Sequence, residues 1–201
     1  MSRLSHPKQK TAGFTLIELL VVISIVGLIS GAFLTFFITN FTFYIDYQYN
    51  AINFSELASQ SQRVASVLRS LTDIVSESAN DIQVYAYFSP ADTYVSLVHY
   101  YLNAQGTALM ADVTPMTANP PIGTPITASK VTYTIMNNYY QAPGSSLFTY
   151  YDVSGTQLTL PITDEHSIIE IQVNLSEPVA RFSNGQSINV KVSLRNRKTN
   201  L

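Results

Sequence analysis

The sequence contains no cysteine and only three histidines among its 201 residues. The absence of cysteine excludes disulfide bonds, thiolate metal sites and a cysteine nucleophile. Phosphate-binding glycine loops, His-Glu-x-x-His and Gly-x-Ser-x-Gly are also absent from the sequence. Asp164, Glu165 and His166 could imitate an acid–base cluster, but consecutive loop residues point in different directions. We therefore predict no catalytic residue, no metal site and no cofactor, and hence a protein that is not an enzyme.

Residues 19–39 include no charged side chain. This run is long enough for one helix to cross a hydrocarbon core of about 30 Å. Residues 1–13 carry Arg3, Lys8 and Lys10 and no acid, which favours a cytoplasmic location for this end. The sequence thus predicts a single span of the cytoplasmic (inner) membrane, with the C-terminal domain outside the cytoplasm.

Basic residues are in deficit after this N-terminal stretch. All 13 Asp and Glu follow residue 13, whereas three of the 11 Lys and Arg precede it, so the remainder has a net charge of −5. An acidic protein is poorly suited to neutralise nucleic-acid phosphates. The basic residues at 195–198 are interpreted as a solvated tail. We expect no nucleic-acid partner.

The most informative motif is Gly13-Phe14-Thr-Leu-Ile-Glu18, which opens the apolar run. An ordinary secretory signal has its small residues after the apolar run, whereas Gly13 comes before it. Cleavage after Gly13 would therefore leave the hydrophobic helix on the mature chain. A basic leader followed by this motif resembles the N-terminus of type IV prepilins and pseudopilins.

The resemblance implies that a prepilin peptidase removes residues 1–13 and that Phe14 is then N-methylated. It also implies that Glu18 pairs with the N-terminal amine of a neighbouring subunit. An acid inside a membrane helix is costly and suggests a function, although Glu18 could instead extend to the interface. Gly27 and Gly31 have the G-x-x-x-G spacing that allows close helix packing.

Helical periodicity continues beyond the apolar run. An apolar stripe with helical spacing extends the prediction to about residue 80; it consists of Val64, Val67, Leu68, Leu71, Ile74 and Val75. We predict a membrane and assembly helix over residues 14–39 and its continuation over residues 40–80. The first half of the helix is transmembrane, and the second half packs on a sheet.

Residues 81–201 have the composition of a β-rich globular domain. Branched and aromatic residues predict strands at residues 83–88, 94–102 and 130–136, a hairpin joining 147–152 to 157–160, and a final hairpin. That final hairpin pairs residues 168–175 with 188–194, with its turn at Asn184-Gly185. Four prolines predict a surface loop over residues 113–128: Pro115, Pro120, Pro121 and Pro125.

These elements predict an α+β fold, with a long N-terminal helix packed on an antiparallel sheet, as in pilins. Residues 147–158, the two strands after them and Arg195-Asn-Arg197 also resemble J-type minor pseudopilins and related minor pilins. The resemblance implies a minor pilin, a structural subunit of a type IV pilus-like filament. The first alternative is a J-type minor pseudopilin at the tip of a type II secretion pseudopilus. The second is a membrane-anchored module for DNA uptake or adhesion.

The partners follow from this interpretation. We expect other pilins or pseudopilins to contact the chain through their N-terminal helices. A prepilin peptidase and methyltransferase would process it, and the membrane would hold it before assembly into the filament.

Overall fold

The computed structural model describes residues 13–179 and 182–194. The chain divides into two units, Met1–Tyr49 and Asn50–Leu201. The predicted leader, apart from Gly13, and the basic tail at residues 195–198 lie outside the described residues. A single helix, α1, spans Leu16–Arg69 and contributes to both units.

In the first unit, α1 carries apolar side chains that are exposed around the whole helix. Four of its polar side chains, those of Ser24, Thr35, Asn40 and Thr42, donate to carbonyls of the helix's own backbone. The hydroxyl of Ser24 donates to the carbonyl of Leu20, and that of Thr35 donates to the carbonyl of Gly31, both at 2.9 Å. By length and composition this helix could cross a membrane. The bonds to backbone carbonyls satisfy polar side chains for which lipid offers no partner.

In the second unit, the last part of α1 buries an apolar face that includes Leu57, Val64 and Leu68. The helix ends at Arg69, so the predicted continuation to residue 80 is too long. The hydroxyl of Ser70 donates to the carbonyl of Val67 at 2.7 Å and accepts the N–H of Tyr87 at 3.1 Å. The residue after the helix is thus bonded to a residue that is distant in the sequence.

The apolar stripe misled the prediction because its spacing continues beyond the helix. Leu71 and Ile74 are buried as expected, but Leu71 follows the helix and Ile74 lies in the first strand. Val75 is 40% exposed. A helical spacing of buried residues therefore does not require a helical backbone once a strand packs into the same core.

Five antiparallel strands form the larger sheet, in the order β1-β2-β3-β4-β5. The strands are β1 Asp73–Glu77, β2 Asp81–Ala86, β3 Ser96–Leu102, β4 Leu109–Pro115 and β5 Val131–Met136. Alternate residues of β2 and β3 are buried, which places one face of each strand in the core.

Strand β4 was not predicted, and it extends into the segment predicted to be a loop. Val113 pairs with Val98 on one side and Val131 on the other, so residue 113 lies inside the sheet. Pro115 is tolerated because it is the last residue of the strand. Its carbonyl accepts the N–H of Ile126 at 2.8 Å. The loop proper begins after this residue.

The smaller sheet has the order β6-β7-β8 and is also antiparallel. Its strands are β6 Phe148–Tyr151, β7 Glu170–Val179 and β8 Phe182–Ser193. The predicted partner of β6 at residues 157–160 is not a strand, and only Gln157 makes a bridge, to Tyr151. Strand β7 fills that position beside β6.

The predicted turn at Asn184-Gly185 lies within β8, because the pairing of β7 with β8 continues past it to Val179 and Phe182. Gly185 has a φ of 64° and lies opposite a register shift in β7. A Cβ atom there would be 2.3 Å from the carbonyl oxygen of Glu177. The glycine is therefore needed where the pairing of β7 with β8 is irregular, and not for a hairpin turn.

The two sheets share one core and are joined where β6 meets the turn between β1 and β2. The hydroxyl of Tyr150 donates to the carbonyl of Ser78 at 2.9 Å, and the N–H of Phe148 donates to the carbonyl of Ala79 at 2.9 Å. The fold is α+β with a long N-terminal helix, as predicted, but it has two antiparallel sheets instead of one.

Candidate functional site

The start of α1 is organised by Thr15 and Glu18. Glu18 Oε2 accepts the backbone N–H of Thr15 and its hydroxyl, both at 2.9 Å. Thr15 Oγ1 in turn accepts the N–H of Glu18 at 3.3 Å. These reciprocal bonds form a capping box, in which a residue preceding the helix and its third residue satisfy each other's N–H groups.

A capping box matters more in lipid than in water. The first N–H groups of a helix have no partner within the helix, and an unsatisfied N–H in a hydrocarbon region costs several kcal/mol. The carboxylate of Glu18 also lies near the positive end of the helix dipole. Within residues 13–179 and 182–194, Glu18 Oε1 makes no hydrogen bond. One carboxylate oxygen thus serves the helix start, and the other has room for a further donor.

Gly13 and Phe14 precede the helix and are both exposed. Phe14 is 81% exposed. A Cβ atom added to Gly13 would meet no atom within 4 Å, so packing against the described residues gives no reason for a glycine here. The bond between these residues lies in an exposed stretch outside the helix.

Gly27 and Gly31 lie one helical turn apart on α1, and both are exposed. A Cβ atom at either position would meet nothing within 4 Å. They leave a shallow strip on the helix surface, where the backbone of a second helix could approach closely. Their role in packing stays a prediction.

The triplet Asp164-Glu165-His166 forms a local turn. Asp164 Oδ1 accepts the N–H of His166 at 2.9 Å and caps the 3₁₀ turn Glu165–Ser167. Elsewhere, His99 Nε2 lies 2.5 Å from Asp81 Oδ2. Among the described residues, no group of three His, Asp or Glu side chains is placed to hold a metal ion.

A polar cluster on the larger sheet was not foreseen from the sequence. Asp112 lies 2.6 Å from Lys130 Nζ and accepts the hydroxyls of Thr132 at 2.5 Å and Tyr101 at 3.2 Å. Burial opposes the ionisation of Asp112, but its hydrogen bonds, chiefly from Lys130, outweigh this effect and lower its pKa. Because its partners lie on or next to the two neighbouring strands, only the strand register brings the cluster together.

Residues 8–34 match a family model described as the prokaryotic N-terminal methylation motif. No curated protein matches the chain significantly. The matched segment contains Gly13, Phe14 and Glu18 and ends within α1. The match confirms the resemblance of this N-terminus to that of a type IV pilin-like family. Together with the apolar helix, it supports a membrane-anchored subunit of the pilin or pseudopilin type.

Proposed function

We propose that this chain, given its type IV pilin-like N-terminus, is a minor pilin and thus a structural subunit of a type IV pilus-like filament. One observation carries the proposal. An uncovered Gly13–Phe14 bond precedes a capped helix that has no charged side chain over residues 19–39 and whose apolar side chains the chain itself leaves exposed. That arrangement suits a helix that is processed at its start and then covered by lipid or by other helices.

Processing is the first step of the proposal. A prepilin peptidase cuts after Gly13, and Phe14 becomes the methylated N-terminus of the mature chain. The segment of residues 14–39, which is helical from Leu16 onward, then holds the subunit in the inner membrane, with the β-rich domain outside the cytoplasm. The match to the methylation motif over residues 8–34 supports this step.

Assembly is the second step. Glu18 Oε2 is engaged by Thr15, and Oε1 accepts a hydrogen bond from the Phe14 amine of a neighbouring subunit. A charged carboxylate in an apolar environment is costly without a partner, so this contact favours subunits in which the two groups meet. Gly27 and Gly31 allow neighbouring helices to approach. The step needs packing and one ion pair, and no catalysis by this chain.

Intact-mass spectrometry tests the processing step. The chain is purified from membranes of cells with and without a prepilin peptidase. We expect a mass for residues 14–201 plus one methyl group, only when the peptidase is present. A mass that includes residues 1–13 in peptidase-containing cells, or a cut beyond residue 39, would overturn the proposal.

The assembly step is tested with Glu18→Gln, which removes the charge but keeps the side-chain oxygen that a capping box needs. Ser24→Ala is the matched control, since it removes another polar group from the same helix. Both variants should be processed and inserted normally. We expect the amount of Glu18→Gln in sheared filaments to fall by about tenfold, as for a lost ion pair of roughly 1.4 kcal/mol, and Ser24→Ala to behave as wild type. Normal incorporation of Glu18→Gln would restrict Glu18 to helix capping.

A further inference from the structure

We propose that the free edge of β5 and the groove beside it bind an extended segment of another protein chain, which adds a strand to the larger sheet. The inference concerns the second unit alone. It does not depend on the proposed role of the N-terminal helix.

The two edges of the larger sheet differ in how they discourage further pairing. Strand β1 has a register shift between Ile74 and Ser76, and acidic residues, Asp73 and Glu77, at both ends. Irregularity and charge of this kind protect a sheet edge. Strand β5 has six residues with no proline or charge, and residues 131–134 are exposed. Among the described residues, β5 pairs with β4 alone.

Two clefts open along the flank of this edge strand. The first, of about 320 Å³, is lined by Val131, Tyr133, Phe88 and Tyr94 among others. The second, of about 670 Å³, is lined by Tyr133, Phe88 and Arg63 among others. The rings of Phe88 and Tyr133 stack with centroids 5.1 Å apart and belong to both clefts. We call the two clefts together the β5 groove.

The groove has the layout that an added strand needs. Val131 and Tyr133 are two residues apart on β5 and therefore lie on the same face of the sheet. A strand placed beside β5 would direct alternate side chains, about 7 Å apart, toward that same face. In this mode of recognition, main-chain hydrogen bonds supply affinity, and pockets for alternate side chains supply specificity. Most residues that line the first cleft are aromatic or aliphatic, which favours apolar side chains there. The acid in that cleft, Asp92, accepts the N–H of Ser89 at 2.9 Å, whereas the basic residue Arg63 lines the second cleft.

The positive charge of Arg63 indicates which kind of segment would bind in the β5 groove. The guanidinium of Arg63 lies 5.3 Å from the centre of the Phe88 ring, and no acidic side chain in the described part of the chain forms a salt bridge with it. A carboxylate is its best partner. The expected occupant is an extended segment with apolar side chains at alternate positions and one acid. Strand β5 has no acid of its own, so a second copy of β5 fits less well.

The probe is a synthetic heptapeptide with valine, valine and glutamate on one face and threonine between them, labelled for fluorescence anisotropy. A matched peptide carries lysine in place of glutamate. The partner is the full mature chain in detergent. We expect saturable binding of the acidic peptide below about 1 mM and about tenfold weaker binding of the basic one.

Variants and hydrogen exchange then locate the site. Arg63→Gln should abolish the preference for the acidic peptide, and Tyr133→Ala should weaken both peptides by about tenfold. Val75→Ala, on exposed β1, is the control and should change neither. Peptide binding should slow amide exchange in residues 131–136 but not in residues 73–77. The proposal would be overturned by no binding, by protection elsewhere, or by self-association through β5 with no preference between peptides.

Discussion

Helix α1 contains two apolar segments that differ in what covers them. Leu28, in the first unit, is 77% exposed, whereas Leu68, in the second unit, is 0% exposed. Both are leucines inside the same helix, so helix propensity does not separate them. The second unit buries its apolar side chains in a core of its own, whereas those of the first unit are exposed on a helix that could cross a membrane by length and composition. Stability therefore depends on burial in one segment and on surroundings in the other.

The largest expected effect sharpens this contrast within one helix. Leu68→Ala removes a fully buried side chain and should lower the free energy of unfolding of the second unit by about 3 kcal/mol. Leu28→Ala makes the same chemical change at an exposed position and should leave that value unchanged. Denaturant unfolding of the full chain in detergent, followed by near-ultraviolet circular dichroism, measures both. Equal losses for the two variants would contradict the contrast.

Features that need no tertiary contact could be predicted from the sequence. The methylation motif and the charge-free helix were predictable because their residues are consecutive and need no tertiary contact. Strands β2, β3 and β5 were found because branched and aromatic residues mark them. The Thr15-x-x-Glu18 capping box was also visible as a pattern but was missed.

Tertiary contacts account for what the sequence did not reveal. Ser70, the first residue after α1, accepts a hydrogen bond from the N–H of Tyr87, 17 residues away. Strand β4 contains Asp112, a charged residue whose partners Lys130 and Thr132 lie on or next to another strand, so its pattern does not alternate. The β5 groove combines α1, β5 and the segment after β2, and no local spacing indicates such a site.

A smaller effect compares two buried tyrosines within the second unit. The hydroxyl of Tyr150 donates to the carbonyl of Ser78, whereas the buried hydroxyl of Tyr100 has no partner among the described residues. Tyr150→Phe should cost about 1 kcal/mol of unfolding free energy, because it removes one bond between the sheets. Tyr100→Phe should be neutral or stabilising, since the lost hydroxyl is desolvated without compensation. The same unfolding assay measures both, and a larger loss for Tyr100→Phe would reverse the assignment.

The smallest effect concerns charge at the edge of the core. Glu177 lines a cleft of about 190 Å³ with Glu56. Burial, and next the negative charge of Glu56, raise the pKa of Glu177 above its usual value. The folded state therefore holds this proton more tightly than the unfolded state, and stability falls as pH rises from the ordinary glutamate pKa to the raised one.

Glu177→Gln should remove this penalty and stabilise the second unit at pH 7 by about 0.5 kcal/mol, a small value because Glu177 is still partly in water. At pH 4 the gain should largely disappear, since the unfolded carboxyl is then mostly protonated too. Glu170 lies at the other end of β7, about 23 Å from Glu177 along the strand, so Glu170→Gln serves as the control. Unfolding midpoints of the three chains at both pH values decide the matter, because a pH-independent gain would point to packing rather than to repulsion between two acids.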